Sequence, residues 1–391
     1  MLHGFDEAHK VIAKTLPVNM TPRQVWEQAE RVGRDLVNRR EDEVKAMLEG
    51  HPPKPPANAP DLLVISPDGG RIQDRSRPVG ERWCEYKAAV VYRVERDATA
   101  REGTRSDPQP APHWRYCAGN DGFARVKVAE KTCHDPRPET KTFTASTETV
   151  ERFPLHVELE AKRRGLMEAG TVCFIGDGGD FIWRTAKEVC ADRRLRVRAS
   201  ARTQTGARGK RVFEILDIIH AGEHLVEAAR AAFGVTKAGV EWLNARFAEV
   251  WSGNAKKLVR AIEAKAAALG PRPGTEGGAA RILWNARDYF DTHRDRIRYD
   301  VFRRHGLPLT SCHIESGIKQ TNRRVKGSEK QWYPCHADEM LALRCCALSE
   351  DGRWDDHFDA LRRGEIEIQT PGRARAAGKS TEADSRDTQA A

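Results

Sequence analysis

The 391-residue chain has no run of about 18 apolar residues, the length a helix needs to cross a bilayer. A helical membrane span is therefore not expected. Its first residues, MLHGFDEAHK, lack the basic-then-apolar layout of a secretion signal. No CxxC pair occurs among its nine cysteines. An odd count without a secretion signal argues against a disulfide framework and for a reduced, cytoplasmic setting. Cys312-His313 and Cys335-His336 match no common structural zinc spacing. A P-loop, a GxGxxG fingerprint and a GxSxG elbow are all missing, so NTPase, dinucleotide and serine-hydrolase readings lack their signatures. There is no internal repeat.

What remains is a soluble globular composition, 39% hydrophobic and 31% charged, with a formal charge of +9 that favours a polyanionic partner. Residues 21–49 have the marks of a helix: Thr21 to cap it, Pro22 at its first position, Gln24 three residues after the cap, and an intermittent apolar stripe of Val25, Ala29, Val32, Leu36 and Val44. The spacer GHPPKPPANAP at 50–60 marks a boundary. LLVIS then reads as a short buried strand, with a turn or hairpin connection over 68–83 and a second strand over 84–95. Residues 96–138, rich in Pro, Gly, Asp and Arg, read as a long and partly mobile loop. Strands are expected at 141–148, over TVCFIG, and over RVFEIL, with a helix at 153–168 and a basic connector at 192–211. Residues 221–304 read as mainly helical, broken at GPRPGTEGG. The result is an α/β fold interrupted by an α-helical insertion. The expected divisions are a helical region and linker (1–59), a first core part (60–220), the insertion (221–305), a C-terminal core helix (306–360) and a disordered tail (361–391).

Acids stand at telling places. Asp68 follows LLVIS and Asp177 follows VCFIG, and each precedes two glycines. A carboxylate at the end of a buried strand lies at the rim of an open sheet, where ligands bind; a turn aspartate looks the same in isolation. Asp217 and His220, in ILDIIH, lie three apart at another strand end, either as metal ligands, as a second shell, or as a cap and a packed histidine. His224, four residues on, allows an HxxxH pair. Glu315 opens a helix for which Ser311 is the candidate cap. Lys319, Asn322 and Lys326 share its face, with Arg323 beside them. An acid followed by cations suits a site where metal meets a phosphate backbone, although a solvated Glu315–Lys319 pair has the same spacing. Trp332 and Tyr333 can stack on an unpaired base or pack on the core. Three scattered carboxylates are what two magnesium ions about 4 Å apart need for phosphodiester transfer.

These residues carry a family resemblance. DGGRIQ with the later EYKAAVVYRV, GDGGDFIW, ILDIIHAGEHL, and ESGIKQTNRRVKGSEKQW followed by EMLALR resemble, in that order, the bacterial DDE transposases of the ISKra insertion-sequence group, which are similar to the Mutator-like transposases. The resemblance covers roughly residues 60–350. It implies an RNase H-like core with a helical insertion before the glutamate, and Asp68, Asp177 and Glu315 as catalytic, metal-binding triad. Asp217 and His220 match the (C/D)xxH pair of the Mutator-like relatives and support the site; a triad with Asp217 as second acid stays open. The implied cofactor is Mg2+ (two ions, with Mn2+ as substitute). The implied partner is double-stranded DNA, element ends and target, contacted through Lys319, Asn322, Arg323, Lys326 and Trp332 by a homodimer or larger synaptic complex in the nucleoid. A non-catalytic DNA-binding descendant and an RNase H-like nuclease are the alternatives.

Overall fold

The computed structural model describes residues 5–191, 211–272, 278–327 and 330–368. The expected basic connector (192–210), the core of the GPRPGTEGG break (273–277) and the expected tail from 369 onward lie outside the described residues.

The fold is mixed α/β, a mixed sheet flanked by helices. Its strands are β1 (Leu62–Asp74), β2 (Trp83–Val94), β5 (Glu139–Ser146), β6 (Thr171–Gly176), β7 (Arg211–Leu216) and the short β8 (Gln331–Trp332). Across the sheet the order is β5-β2-β1-β6-β7, with β8 on β1. β1, β2 and β5 pair antiparallel, whereas β6 and β7 run parallel to β1. The apolar runs explain this layering. In LLVI, Leu62 and Val64 enter one core while Leu63 and Ile65 enter the other. Alternate residues of a strand point to opposite faces, so a strand covered on both sides reads as continuous hydrophobics.

The helices are α1 (Phe5–Thr15), α2 (Pro22–Leu48), α3 (Ala98–Glu102), α4 (Phe153–Arg163), α5 (Asp180–Val189), α6 (Ile218–Phe233), α7 (Lys237–Trp251), α8 (Ala255–Leu269), α9 (Ala279–Thr292), α10 (Tyr299–Arg304), α11 (Cys312–Val325), α12 (Pro334–Leu348) and α13 (Arg353–Arg362). α4 and α5 cover one face through Phe153, Val157, Ala186 and Val189. α11 lies on the other face, over β1 and β2. α6 to α10 form the helical block between β7 and α11. The capping box expected for α2 is present, Thr21 and Gln24 exchanging bonds of 2.8 and 3.2 Å. The buried face of α2 is less apolar than its pattern: Glu30, Gly33 and Asp35 are buried along with Val44 and Met47.

Two expectations are corrected. β1 does not stop before Asp68 but runs on to Asp74, so the turn is 75–82 rather than 68–83. Gly69 and Gly70 mark a strand here: a side chain at either would strike Glu85 or Tyr86. The second concerns 96–138, which holds α3 and a hairpin of β3 (Trp114–Gly119) and β4 (Gly122–Lys127). Tyr116 of this hairpin packs on Phe247, its backbone exchanges hydrogen bonds with Asn244, and Asp135 accepts from Leu309 N at 2.8 Å and Thr310 Oγ1 at 3.0 Å. The segment therefore braces the approach to α11.

Gly317 sets how closely α11 approaches the sheet, since a Cβ there would lie 2.5 Å from Cε1 of the buried Phe143. Helix propensity alone favours alanine by about 1 kcal/mol, but the new methyl would collide with the ring and force it to shift. Gly317→Ala is expected to lower the unfolding free energy by about 1–2 kcal/mol, read as a lower denaturant midpoint at unchanged slope.

Candidate active site

The site begins where the sheet opens. β6 pairs with β1 only from Leu62 to Ile65, and β8 pairs with β1 only at Gln73 and Asp74. Asp68 lies between these stretches, paired on its other side with Ala88. Ser66 extends the join to β6 by donating to Ile175 O at 2.9 Å; beyond it β6 ends, and Asp177 follows directly. Asp177 Oδ1 accepts from Gly179 N at 2.9 Å, and Tyr289 of α9 donates to Asp177 O at 2.8 Å. Glu315 stands in the first turn of α11, whose N-terminal end favours a negative charge.

Three of the expected residues, Asp177, Glu315 and His220, act electrostatically on Asp68. Burial first, then the charges of Asp177 and Glu315, together push its carboxyl from an ordinary 3.8 up to about 7, against the lowering effects of the Gly69 N–H and His220. His220, on α6, has its Nδ1 3.0 Å from Glu223 and its Nε2 3.9 Å from Glu315 Oε1. Burial disfavours its charged form, but the carboxylates of Asp217, Glu223, Asp177 and Glu315 outweigh that and lift its pKa.

Asp217 has a different position from the other acids. It is fully buried and caps α6. Its Oδ1 accepts from Ile219 N at 2.6 Å and His220 N at 3.1 Å, and its Oδ2 from Ser311 N at 2.5 Å and Ser311 Oγ at 2.7 Å. Both oxygens are engaged by protein donors. Ser311 accordingly does not cap α11 through its side chain; its hydroxyl serves Asp217 and reaches Glu315 Oε1 at 3.4 Å. His224 turns away from His220 and stacks on Tyr289, ring centroids 3.8 Å apart.

Of the residues expected to meet DNA, Lys319, Arg323 and Lys326 are exposed. Lys319 lies 3.6 Å from Glu315, and Lys326 sits over the Trp83 ring. Asn322 and Trp332 are partly buried with polar groups used inside the fold: Asn322 accepts from Tyr86 OH at 3.0 Å, and Trp332 Nε1 donates to Val325 O at 2.8 Å.

The ligand atoms of Asp68, Asp177 and Glu315 do not all come within 4.8 Å of one another. Among the described residues, the group that does so is Glu30, His336 and Glu339, a buried cluster that can hold a metal ion. Sequence reading missed it. Its one local trace is the His336-x-x-Glu339 spacing, which puts two ligating side chains on one face of a helix. Also missed were Ser311 as the partner of Asp217 and Glu223 as the partner of His220, contacts made by ordinary-looking residues.

Comparison with protein-family models and with curated proteins finds no match for the chain.

The raised Asp68 carboxyl fixes a pH dependence. The folded, metal-free protein holds a proton that the unfolded chain releases near 3.8, so the associated stability is complete below 3.8 and is lost as pH rises through about 7. Asp68→Asn is expected to remove this decline. The variant gains stability relative to the parent over that window in urea titrations with chelator present, and an unchanged difference across the window counts against the desolvated, charge-neighboured position of Asp68.

Proposed function

We propose that the chain is a metal-dependent DNA transposase on an RNase H-like core, with Asp68, Asp177 and Glu315 as metal ligands. The observation that carries this is the charge of Asp177 and Glu315 acting on a half-buried Asp68 at the point where the sheet opens. Crowded carboxylates in a low dielectric repel one another and favour a dication between them. Three antiparallel strands followed by two parallel ones, with a helical block before the glutamate helix, support the RNase H-like reading. That the three carboxylates spread wider than one ion's shell suits two ions, Mg2+ or substituting Mn2+, which Asp68, Asp177 and Glu315 would hold.

Bound there, the ions would activate the attacking oxygen and stabilise the leaving one of a phosphodiester. The chain's own residues do the rest. Asp177, with one protein hydrogen bond on its carboxylate, is freer to ligate than Asp217, whose oxygens accept four; the second acid is therefore Asp177. Asp217 is a positioning residue that holds His220 and the start of α11. His220, made more basic by its neighbours, sets its Nε2 3.9 Å from Glu315. The exposed Lys319, Arg323 and Lys326 meet backbone phosphates of double-stranded DNA. Joining two element ends to a target calls for at least two copies of the chain, acting in the nucleoid.

The test is a strand-transfer assay with Mg2+ and DNA carrying the element's ends. Asp68→Asn, Asp177→Asn and Glu315→Gln are each expected to lower product by about 10²-fold or more. Asp217→Asn turns an amide N–H towards two donors and is expected to lose about 2–4 kcal/mol of stability, keeping more activity per folded molecule than Asp177→Asn. Equal residual activity in those two variants rules out Asp177 as a ligand. Cleavage without joining favours a nuclease, and binding without cleavage a non-catalytic descendant.

A further inference from the structure

Away from Asp68, α2 and α12 bring a second set of ligating side chains together. Glu30 comes from α2, His336 and Glu339 from α12. His336 Nδ1 is 2.7 Å from Glu30 Oε1 and 3.2 Å from Glu339 Oε2. One ring nitrogen thus faces two carboxylate oxygens, and its single N–H can serve only one. It is aimed at Glu339. Glu30 Oε1 is buried without a hydrogen-bond partner, on a residue only 7% exposed, despite its closeness to the ring.

A buried carboxylate oxygen lacking a donor is unfavourable in a low dielectric, and a cation at the centre of the cluster removes the deficit. The spacing fits: ligand atoms bonded at about 2.0–2.2 Å to one ion stand roughly 3 Å apart. The setting is also that of a supported site. Arg34 Nε donates to Glu339 Oε1 at 2.7 Å, leaving Oε2 turned to His336. Gly33 lets α2 press against the α12 backbone, since a Cβ there would strike the Glu339 carbonyl. The ligands therefore sit on two helices held in register. Glu27 and Arg34 are the other charges acting on Glu30, and they oppose each other. His336 also lines a cavity of about 630 Å³ with Trp26, Trp332 and Tyr333.

We propose that Glu30, His336 and Glu339 form a structural site for a divalent transition ion of the zinc, iron(II) or manganese(II) kind, which clamps α2 to α12. One imidazole with two carboxylates is a borderline donor set, unlike the all-oxygen set around Asp68.

The test uses the full-length chain carrying Asp68→Asn, so that failure here stays distinct from failure at Asp68. Mn2+ is titrated and followed by electron paramagnetic resonance. The expected result is one tightly held ion per chain, with nitrogen hyperfine coupling from an imidazole and a raised Tm. Adding His336→Ala should weaken binding at least about tenfold and abolish the nitrogen coupling and the Tm rise. Glu339→Gln should weaken binding while retaining the coupling. Mn2+ held equally well after His336→Ala, or no ion held at all, overturns the proposal. If His336→Ala does not fold, Glu30→Gln decides by the same affinity and Tm readings.

Discussion

Like charge held in one place is the constraint around which the molecule is arranged. Asp68, Asp177 and Glu315 repel, and His220 offsets only part of that repulsion. Each acid comes from a different kind of element: the middle of a strand, the residue after a strand, and the first turn of a helix. The strands are fixed by burial on both faces, and α11 by its close seat on Phe143. The backbones that carry the three acids are thus held by packing.

How much of this was legible depends on the range of the contacts. LLVI and TVCFIG announce buried strands by composition alone, and their acids follow in sequence. Thr21 and Gln24 signal a helix start because both partners lie within one turn. The failures are contacts between distant segments. Gly69-Gly70 looks like a turn by local rules; side chains arriving from β2 are what require glycine inside a strand. Ser311 looks like a cap, but its hydroxyl goes to Asp217, 94 residues earlier. The acids on the buried face of α2 look solvated until α12 arrives, and Arg34 and Glu339 are 305 residues apart. The β3–β4 hairpin is hidden in a Pro- and Gly-rich stretch because Asn244 and Phe247 supply its support.

The two carboxylate groupings differ in kind. Around Asp68, acids stand apart and partly open beside an exposed basic helix, an arrangement suited to a large anionic partner. Around His336, the side-chain atoms are tight and mostly enclosed between two helices.

The bond from Ser311 to Asp217 has one more consequence. It closes a loop: the helical block leaves the sheet at one of these residues and returns at the other, its two ends within a hydrogen bond of each other. A segment whose ends meet imposes no span on the frame it leaves. It can lengthen, shorten or be exchanged at a loop-closure cost that grows only with the logarithm of its length. Its freedom to change lies away from the residues it lends the frame: Asp217 and Ser311 at its stalk, His220 and Tyr289 beside the acids, and Asn244 and Phe247 under the hairpin.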